Sequence, residues 1–577
     1  MKRCPECRRD YYDDTLLYCL DDGNELLEGP ASGQFDEPQT AILHSTAAPG
    51  EAPTRAQFHN TEQTSVSARG VEAEPHESLA DSATKHSPHA NQVAKPLLVV
   101  AVIATVALGS FFGYRYLPSA NSKQIESIAV MPFENGTGDP DLEYLSDGMT
   151  ETLIGTLSRL QQVKVKARSL VFRYKGKDAD AKTVASELGV QALLNGRLTK
   201  RGDQLAINLE LVEAETGDVI WSDNYERSQA DLVSLQKEIW RDVSSRLESI
   251  AGTEQVNAAR NISSDSEAYE LYLKGRFYWN LRGADNLKRA LELFEQAVAK
   301  DPNYALAHTG IADAYSLLPV YNVMTPREGM PKAKEAALKA LALDDSLAEA
   351  HTALALVLCT YDYDFVAAER EYKRAIELDP GYGTAHMWYG EMLRYLGRMD
   401  EAIRETGLAL QTDPQSPIMT ANHGISFFNA RQFDKAVQFI EDSKKLGPVS
   451  PLGNQVMFQI YQIQGKQDEA ISSIASLYEL LVGQQDADAI RNAYLDEGWN
   501  AAIRKVIEAE KRSMNRAWEL ANFYVILGDH DKAFAELDRA YQERGFTILQ
   551  IRTSPALDGI RDDPRYKELV RKIPFPD

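Results

Sequence analysis

The chain has 577 residues, with 62 Lys and Arg against 85 Asp and Glu and a formal net charge of −23. That length exceeds what one hydrophobic core supports, so several domains are expected. The acidic balance argues against a nucleic-acid binder, whose affinity rests on basic surface and counterion release. The four cysteines are Cys4, Cys7, Cys19 and Cys359, three of them at the N-terminus, which is not the spread of a disulfide scaffold.

Residues 1–28 carry Cys4-Pro5-Glu6-Cys7 and then Cys19-Leu20-Asp21-Asp22. A Cys-x-x-Cys turn aims two thiolates at one ion, and zinc accepts carboxylate as well as thiolate. Cys4, Cys7, Cys19 and Asp22 are therefore a candidate tetrahedral set for a structural zinc. The stretch resembles the small zinc ribbons at the front of bacterial regulatory proteins and departs from them at Asp22. A metal-free or redox cysteine cluster is the alternative. Residues 29–95 are poor in large apolar side chains and read as a disordered tether.

The uncharged run from Pro96 to Tyr114 defines a transmembrane helix over 96–117, since about 20 apolar residues span a bilayer. Tyr114, Arg115 and Tyr116 suit an interfacial anchor. Gly109 and Gly113 give a second copy a close-packing face, leaving self-association open. Flanking charges barely decide orientation. Reduced cysteines favour a cytosolic N-terminus, which puts the C-terminal body on the periplasmic or extracytoplasmic side of a bacterial inner membrane.

Residues 125–251 alternate strand and helix. A strand at Ser127–Phe133 precedes a helix over 142–160, a strand over 163–167 and a helix over 179–188. Three meander strands (190–199, 204–212, 219–225) and a helix over 231–250 complete it. This order implies a mixed sheet covered by helices. The runs Ser127-Ile-Ala-Val-Met-Pro-Phe133, Tyr144-Leu-Ser-Asp-Gly-Met-Thr150 and Thr216-Gly-Asp-Val-Ile-Trp221 resemble the TolB amino-terminal-like domain that bacterial regulators place ahead of repeats. That resemblance implies an interaction or sensing module without catalytic residues. Arg168, Tyr174, Lys175 and Lys177 form a basic-aromatic cluster, read either as an anion site or as a solvated loop edge.

From 266 to 577 one spacing recurs: Ala290, Phe294, Ala297 and Pro302, then Ala368, Tyr372, Ala375 and Pro380, then Ala402, Thr406, Ala409 and Pro414. Offsets of four and seven put these side chains on one helical face, and proline ends each unit. The pattern resembles the tetratricopeptide repeat, a helix–turn–helix unit of about 34 residues. About seven units and a C-terminal cap are expected. Such stacks present a concave surface to peptides and partner proteins. His308, His351, His386, Trp388, Asn422 and His423 are the candidate partner contacts, each also compatible with ordinary packing or a solvated face.

No nucleotide-binding, metalloprotease or nucleophile motif is present. The expected fold is multidomain: a mostly α tetratricopeptide superhelix, a smaller α/β domain, one transmembrane helix and a zinc-ribbon-like head. The expected function is a membrane-anchored protein–protein interaction scaffold and not an enzyme. The alternative is a transmembrane sensor whose α/β domain binds a ligand and signals to the head. A DNA-binding head is disfavoured by the acidic balance, although Lys2, Arg3, Arg8 and Arg9 keep it open.

Overall fold

The computed structural model describes residues 2–3, 10–11, 27–28, 125–158, 163–177, 179–251, 263–447 and 451–576. The chain divides into two compact units, Met1–Ala104 and Thr105–Asp577, and each is taken by itself. In the first, strands β1 (Lys2–Arg3), β2 (Asp10–Tyr11) and β3 (Leu27–Glu28) pair antiparallel in the order β2-β1-β3. Cys4, Cys7, Cys19, Asp22, the tether at 29–95 and the apolar stretch at 96–117 lie outside the described residues. Among the described residues no helix is long and apolar enough to cross a membrane.

The second unit opens with the α/β domain. Its strands are β4 (Ser127–Val130), β5 (Glu134–Asn135), β6 (Lys164–Val165), β7 (Ala192–Arg201), β8 (Gln204–Glu213) and β9 (Val219–Ser228). Its helices are α1 (Glu143–Leu157), α2 (Arg168–Phe172), α3 (Ala181–Leu188) and α4 (Leu232–Ala251). The sheet order is β6-β4-β7-β8-β9, with β5 also on β7. β4 runs parallel to both neighbours, and its Ile128, Ala129 and Val130 are fully buried, as a central parallel strand requires. β7, β8 and β9 form an antiparallel meander. Gly196 in β7 is glycine because the Phe133 ring fills the place of a side chain, 2.3 Å from an added Cβ.

Eight helix pairs follow among the described residues. Repeat 1 pairs Ser266–Leu281 with Ala284–Lys300, repeat 2 Ala305–Leu317 with Pro326–Leu343, and repeat 3 Ala348–Val357 with Phe365–Leu378. Repeat 4 pairs Gly383–Tyr395 with Met399–Thr412, and repeat 5 Pro417–Asn429 with Phe433–Leu446. Repeat 6 pairs Pro451–Ile463 with Gln467–Leu481, repeat 7 Gln484–Glu497 with Trp499–Glu510, and repeat 8 Ala517–Ile526 with His530–Gln542. Repeat 7 lacks the small-bulky spacing, yet its Ala502, Ile503 and Val506 are fully buried at helical intervals. The spacing itself is a packing rule. The Phe294 ring lies against Gly275 and Gly310, where an added Cβ would come within 2.5 and 2.8 Å of it.

The C-terminal end turns back onto the middle of the array. Phe575 stacks on Phe365 at 5.4 Å, Arg544 donates to the Tyr361 carbonyl at 2.8 Å, and Arg431 pairs with Asp558 at 2.5 Å. The α/β domain and the first repeats share one apolar core, which runs from Ile128 and Met149 through Tyr269 and Leu273 to Tyr304.

That shared core depends on Gly148 of α1, where an added Cβ would sit 2.9 Å from Leu273 Cδ2. Gly155, two turns later, has open space at the same atom. Gly148→Leu should destabilise the unit by about 2 kcal/mol or more, as overpacking does. Gly155→Ala should stabilise it by about 0.5–1 kcal/mol through helix propensity. Thermal unfolding of the two variants checks the contrast; equal shifts would count against the close approach.

Candidate functional site

A cavity of about 1060 Å³ lies where the α/β domain meets the first helices of repeats 1 to 5. Its α/β wall is α1 and the strand region 163–169. Its repeat wall carries Tyr272, Trp279, Tyr304, Tyr321, Tyr382 and Trp388. One carboxylate gathers several donors from the two walls. Glu151 of α1 accepts from Arg276 Nη2 at 2.5 Å and Nε at 2.9 Å, and from Asn280 Nδ2 at 2.6 Å. Arg168 Nε stands 3.3 Å from its other oxygen. Burial alone would raise the Glu151 pKa, but the Arg276 and Arg168 charges outweigh it and hold the carboxyl below the usual range.

Further out the electrostatics change. Asp313, in the first helix of repeat 2, lies 3.6 Å from Arg276 Nη1. Burial pushes its carboxyl up to about 7 against the pull of Arg276 and Arg282. Arg282 ends the first helix of repeat 1 at φ 59, a conformation costly for a side-chain-bearing residue. Its guanidinium lies 3.6 Å over the Trp279 ring and makes no ion pair among the described residues. The Trp279 Nε1 and Tyr304 Oη are buried without a hydrogen-bond partner there. Val320, Tyr321 and Ile418 present exposed apolar surface to the same space. The arrangement is one of stacking faces, unpaired donors and cations, suited to recognition.

The predicted contacts divide. His351 Nδ1 sits 2.7 Å from Glu371 and its Nε2 3.0 Å from the Asp345 carbonyl. His386 repeats this with Glu405 at 2.8 Å and the Pro380 carbonyl at 3.2 Å. His308 holds the Pro302 carbonyl at 3.0 Å. Each ring thus clamps the turn that precedes its own helix. Asn422 bonds the Ile418 carbonyl at 3.0 Å, and His423 packs on Phe427 and Phe439 with Nδ1 2.9 Å from Thr406. Of the six, His386 and Trp388 line the cavity.

Of the basic-aromatic cluster, Lys175 pairs with Glu143 and Asp147, each at 2.5 Å, Arg168 stands at Glu151 and Tyr174 donates to Glu187, while Lys177 is exposed. Arg276, Arg282 and Trp279 were the residues missed; their signal was a run of aromatics and arginines, Arg276-Phe-Tyr-Trp-Asn-Leu-Arg282, at a helix end.

Comparisons with known proteins agree with this division of the chain. Residues 123–241 match the family model "HilA/YgeH-like transcriptional regulator, second domain", over the segment that resembled the TolB amino-terminal region. Residues 364–417 match the tetratricopeptide repeat model. The chain is 32% identical over 236 residues to "Putative adenylate cyclase 3" of Rhizobium meliloti, covering 40% of each protein. It therefore spans less than half of that relative. It is 22% identical over 445 residues to "Transcriptional regulator HilA" of Salmonella typhimurium, covering 74% of this chain and 77% of the relative. Among solved structures, yeast Tom70 aligns at 16% identity and a TM-score of 0.34, covering 75% of this chain and 89% of that one. The chain is a tetratricopeptide-repeat protein carrying a small mixed-sheet domain ahead of its repeats.

Two outcomes follow from the electrostatics. Arg276→Ala strands Glu151 in the junction and should cost about 3 kcal/mol, read by chemical unfolding of the full chain. Asp313 and the buried Glu519 both have folded-state pKa values raised to about 7 by burial. Their protonated forms favour the fold, so this contribution is complete below about 4 and is lost as pH rises through about 7. Unfolding temperature should fall across that window, and Asp313→Asn should flatten the slope.

Proposed function

We propose that this protein is a membrane-anchored binding scaffold that captures a polypeptide in the cavity between its α/β domain and its repeats, and not an enzyme. The observation that carries the reading is the cavity's lining, in which a row of aromatics, exposed Ile418 and an Arg282 without an ion pair among the described residues stand together. Aromatic and arginine side chains in concave, partly desolvated sites are the usual anchors of protein interfaces. The apolar stretch at 96–117 would tether the unit to a bilayer. Zinc held by Cys4, Cys7, Cys19 and Asp22 would organise the head. In support, β1 and β2 pair through Arg3 and Asp10, so residues 4–9 connect two adjacent strands.

A photo-crosslinking residue in place of Ile418 tests the main reading. It should trap a discrete protein in cells that the same probe at Leu338, exposed on the second helix of repeat 2, does not. Identical products at both positions would overturn it. Zinc should be present at one ion per chain and be lost in Cys4→Ser with Cys7→Ser, as metal analysis of the purified protein would read.

The second reading, a sensor, is favoured by the pair of relatives. A protein named as a transcriptional regulator and one named as a putative adenylate cyclase both share sequence with this chain. Occupancy of one module read out by different attached segments would account for that. On this reading the N-terminal head is the segment that responds.

A further inference from the structure

We propose that the occupant of this cavity is an extended acidic segment of a partner protein, added as a strand to the free edge of β6. The proposal rests on the polypeptide-binding reading above and specifies how the segment is held. β6 is the terminal strand of the sheet, paired only with β4. Lys164 and Lys166 direct their N–H groups to the Glu126 and Ile128 carbonyls of that neighbour, at 2.8 and 3.0 Å. Successive peptide groups of a strand point to opposite sides. The Val165 N–H and C=O, with the Ala167 N–H, therefore face away from the sheet, and no partner meets them among the described residues.

What they face is the cavity. Val163, Lys164, Val165, Lys166 and Ala167 all line it in unbroken succession. A strand seen face-on would contribute alternate residues, because its side chains alternate in direction. An unbroken run is what a strand contributes when its hydrogen-bonding edge is turned inward. An extended peptide is the ligand whose own donors and acceptors match that edge.

Charge selects the peptide. Val165 packs on the apolar core, so Lys164 and Lys166 share the opposite face. Neither makes an ion pair among the described residues, whereas Arg168 and Arg276 of the same cavity are taken up by Glu151. Residues directly opposite on paired strands share a face. A segment with an apolar residue opposite Val165 would thus set its two flanking residues beside Lys164 and Lys166. Acidic–apolar–acidic is the complementary sequence. Short, lysine-bearing edges also deter indiscriminate strand pairing, and the same lysines then sharpen the preference for an acidic strand.

The test uses the full chain in detergent and fluorescein-labelled peptides with blocked ends. Glu-Val-Glu-Val-Glu should bind about tenfold or more tighter than Glu-Pro-Glu-Pro-Glu, which keeps the charge and lacks the pairing N–H groups. Lys-Val-Lys-Val-Lys should not bind. Lys164→Glu with Lys166→Glu should abolish binding, and Ala167→Pro should weaken it about tenfold while leaving the unfolding temperature unchanged, since the Ala167 φ of −61 suits proline and its N–H faces outward. Equal binding of the two acidic peptides, or an unchanged affinity in the double variant, would overturn the proposal.

The tether's own Val71-Glu72-Ala73-Glu74 has the same alternation. If Glu72→Lys with Glu74→Lys raises the peptide's affinity, the tether and not a partner is the occupant, and the assignment to a partner fails. A partner trapped at position 418 as strongly by the edge variants as by the parent chain would sink the strand-pairing proposal while leaving the cavity reading intact.

Discussion

The contact between Glu151 and Arg276 orients two successive folds of the chain on one another. A carboxylate from α1 enters a junction where water is scarce and meets a guanidinium, an amide and a second arginine. Burying the acid alone would be costly, and burying the arginine alone equally so. Together they orient the α/β domain on the first repeat, because Arg276 holds one oxygen of Glu151 and Asn280, one helical turn on, holds the other. The apolar core beneath, with Leu273 against Gly148, supplies the adhesion that the polar contact orients. The cavity is walled by the strand region 163–169 on one side and by the first repeats on the other, beside this junction.

Along the array, a different device keeps successive units in step. His351 and His386 each tie the carbonyl six residues earlier to an acid on the following helix of the same repeat. Each turn is thereby fixed to its own pair. At the next turn, which has no such histidine, Asp413 accepts from Ser169 of the α/β domain. The opposite ends of these helices are gripped by the returning C-terminus through Phe575, Arg544 and Asp558. A stack whose repeats ordinarily touch only neighbours is here braced on both edges.

The repeat array was legible because small and bulky residues must alternate at helical spacing wherever two helices approach closely, as Phe294 does against Gly275 and Gly310. The α/β domain was legible for a similar reason: Ile128, Ala129 and Val130 form the continuous apolar run of a buried parallel strand. The site was not. Glu151 and Arg276 are 125 residues apart, and no local period links them. The internal partners of the histidines were not legible either: His308, His351 and His386 each meet a backbone carbonyl six residues earlier, which sequence does not mark. Repeat 7 was obscured because Ala502, Ile503 and Val506 bury a helix without the small-bulky spacing.

The cations of the cavity fall into two groups by what they face. Arg168 and Arg276 are close to a carboxylate of the same molecule, so adding an acidic ligand there would mean competing with a bond already made. Lys164 and Lys166 have no such competitor among the described residues, whereas Arg282, stacked on the Trp279 ring, also feels the Asp313 carboxyl. An anion gains most from a positive charge that is poorly hydrated and unpaired. On the proposed reading, a preference for an acidic ligand would be set at the β6 edge, where Lys164 and Lys166 carry charge without an ion pair among the described residues, and not at the Glu151 junction, whose cations are committed to the folding contact.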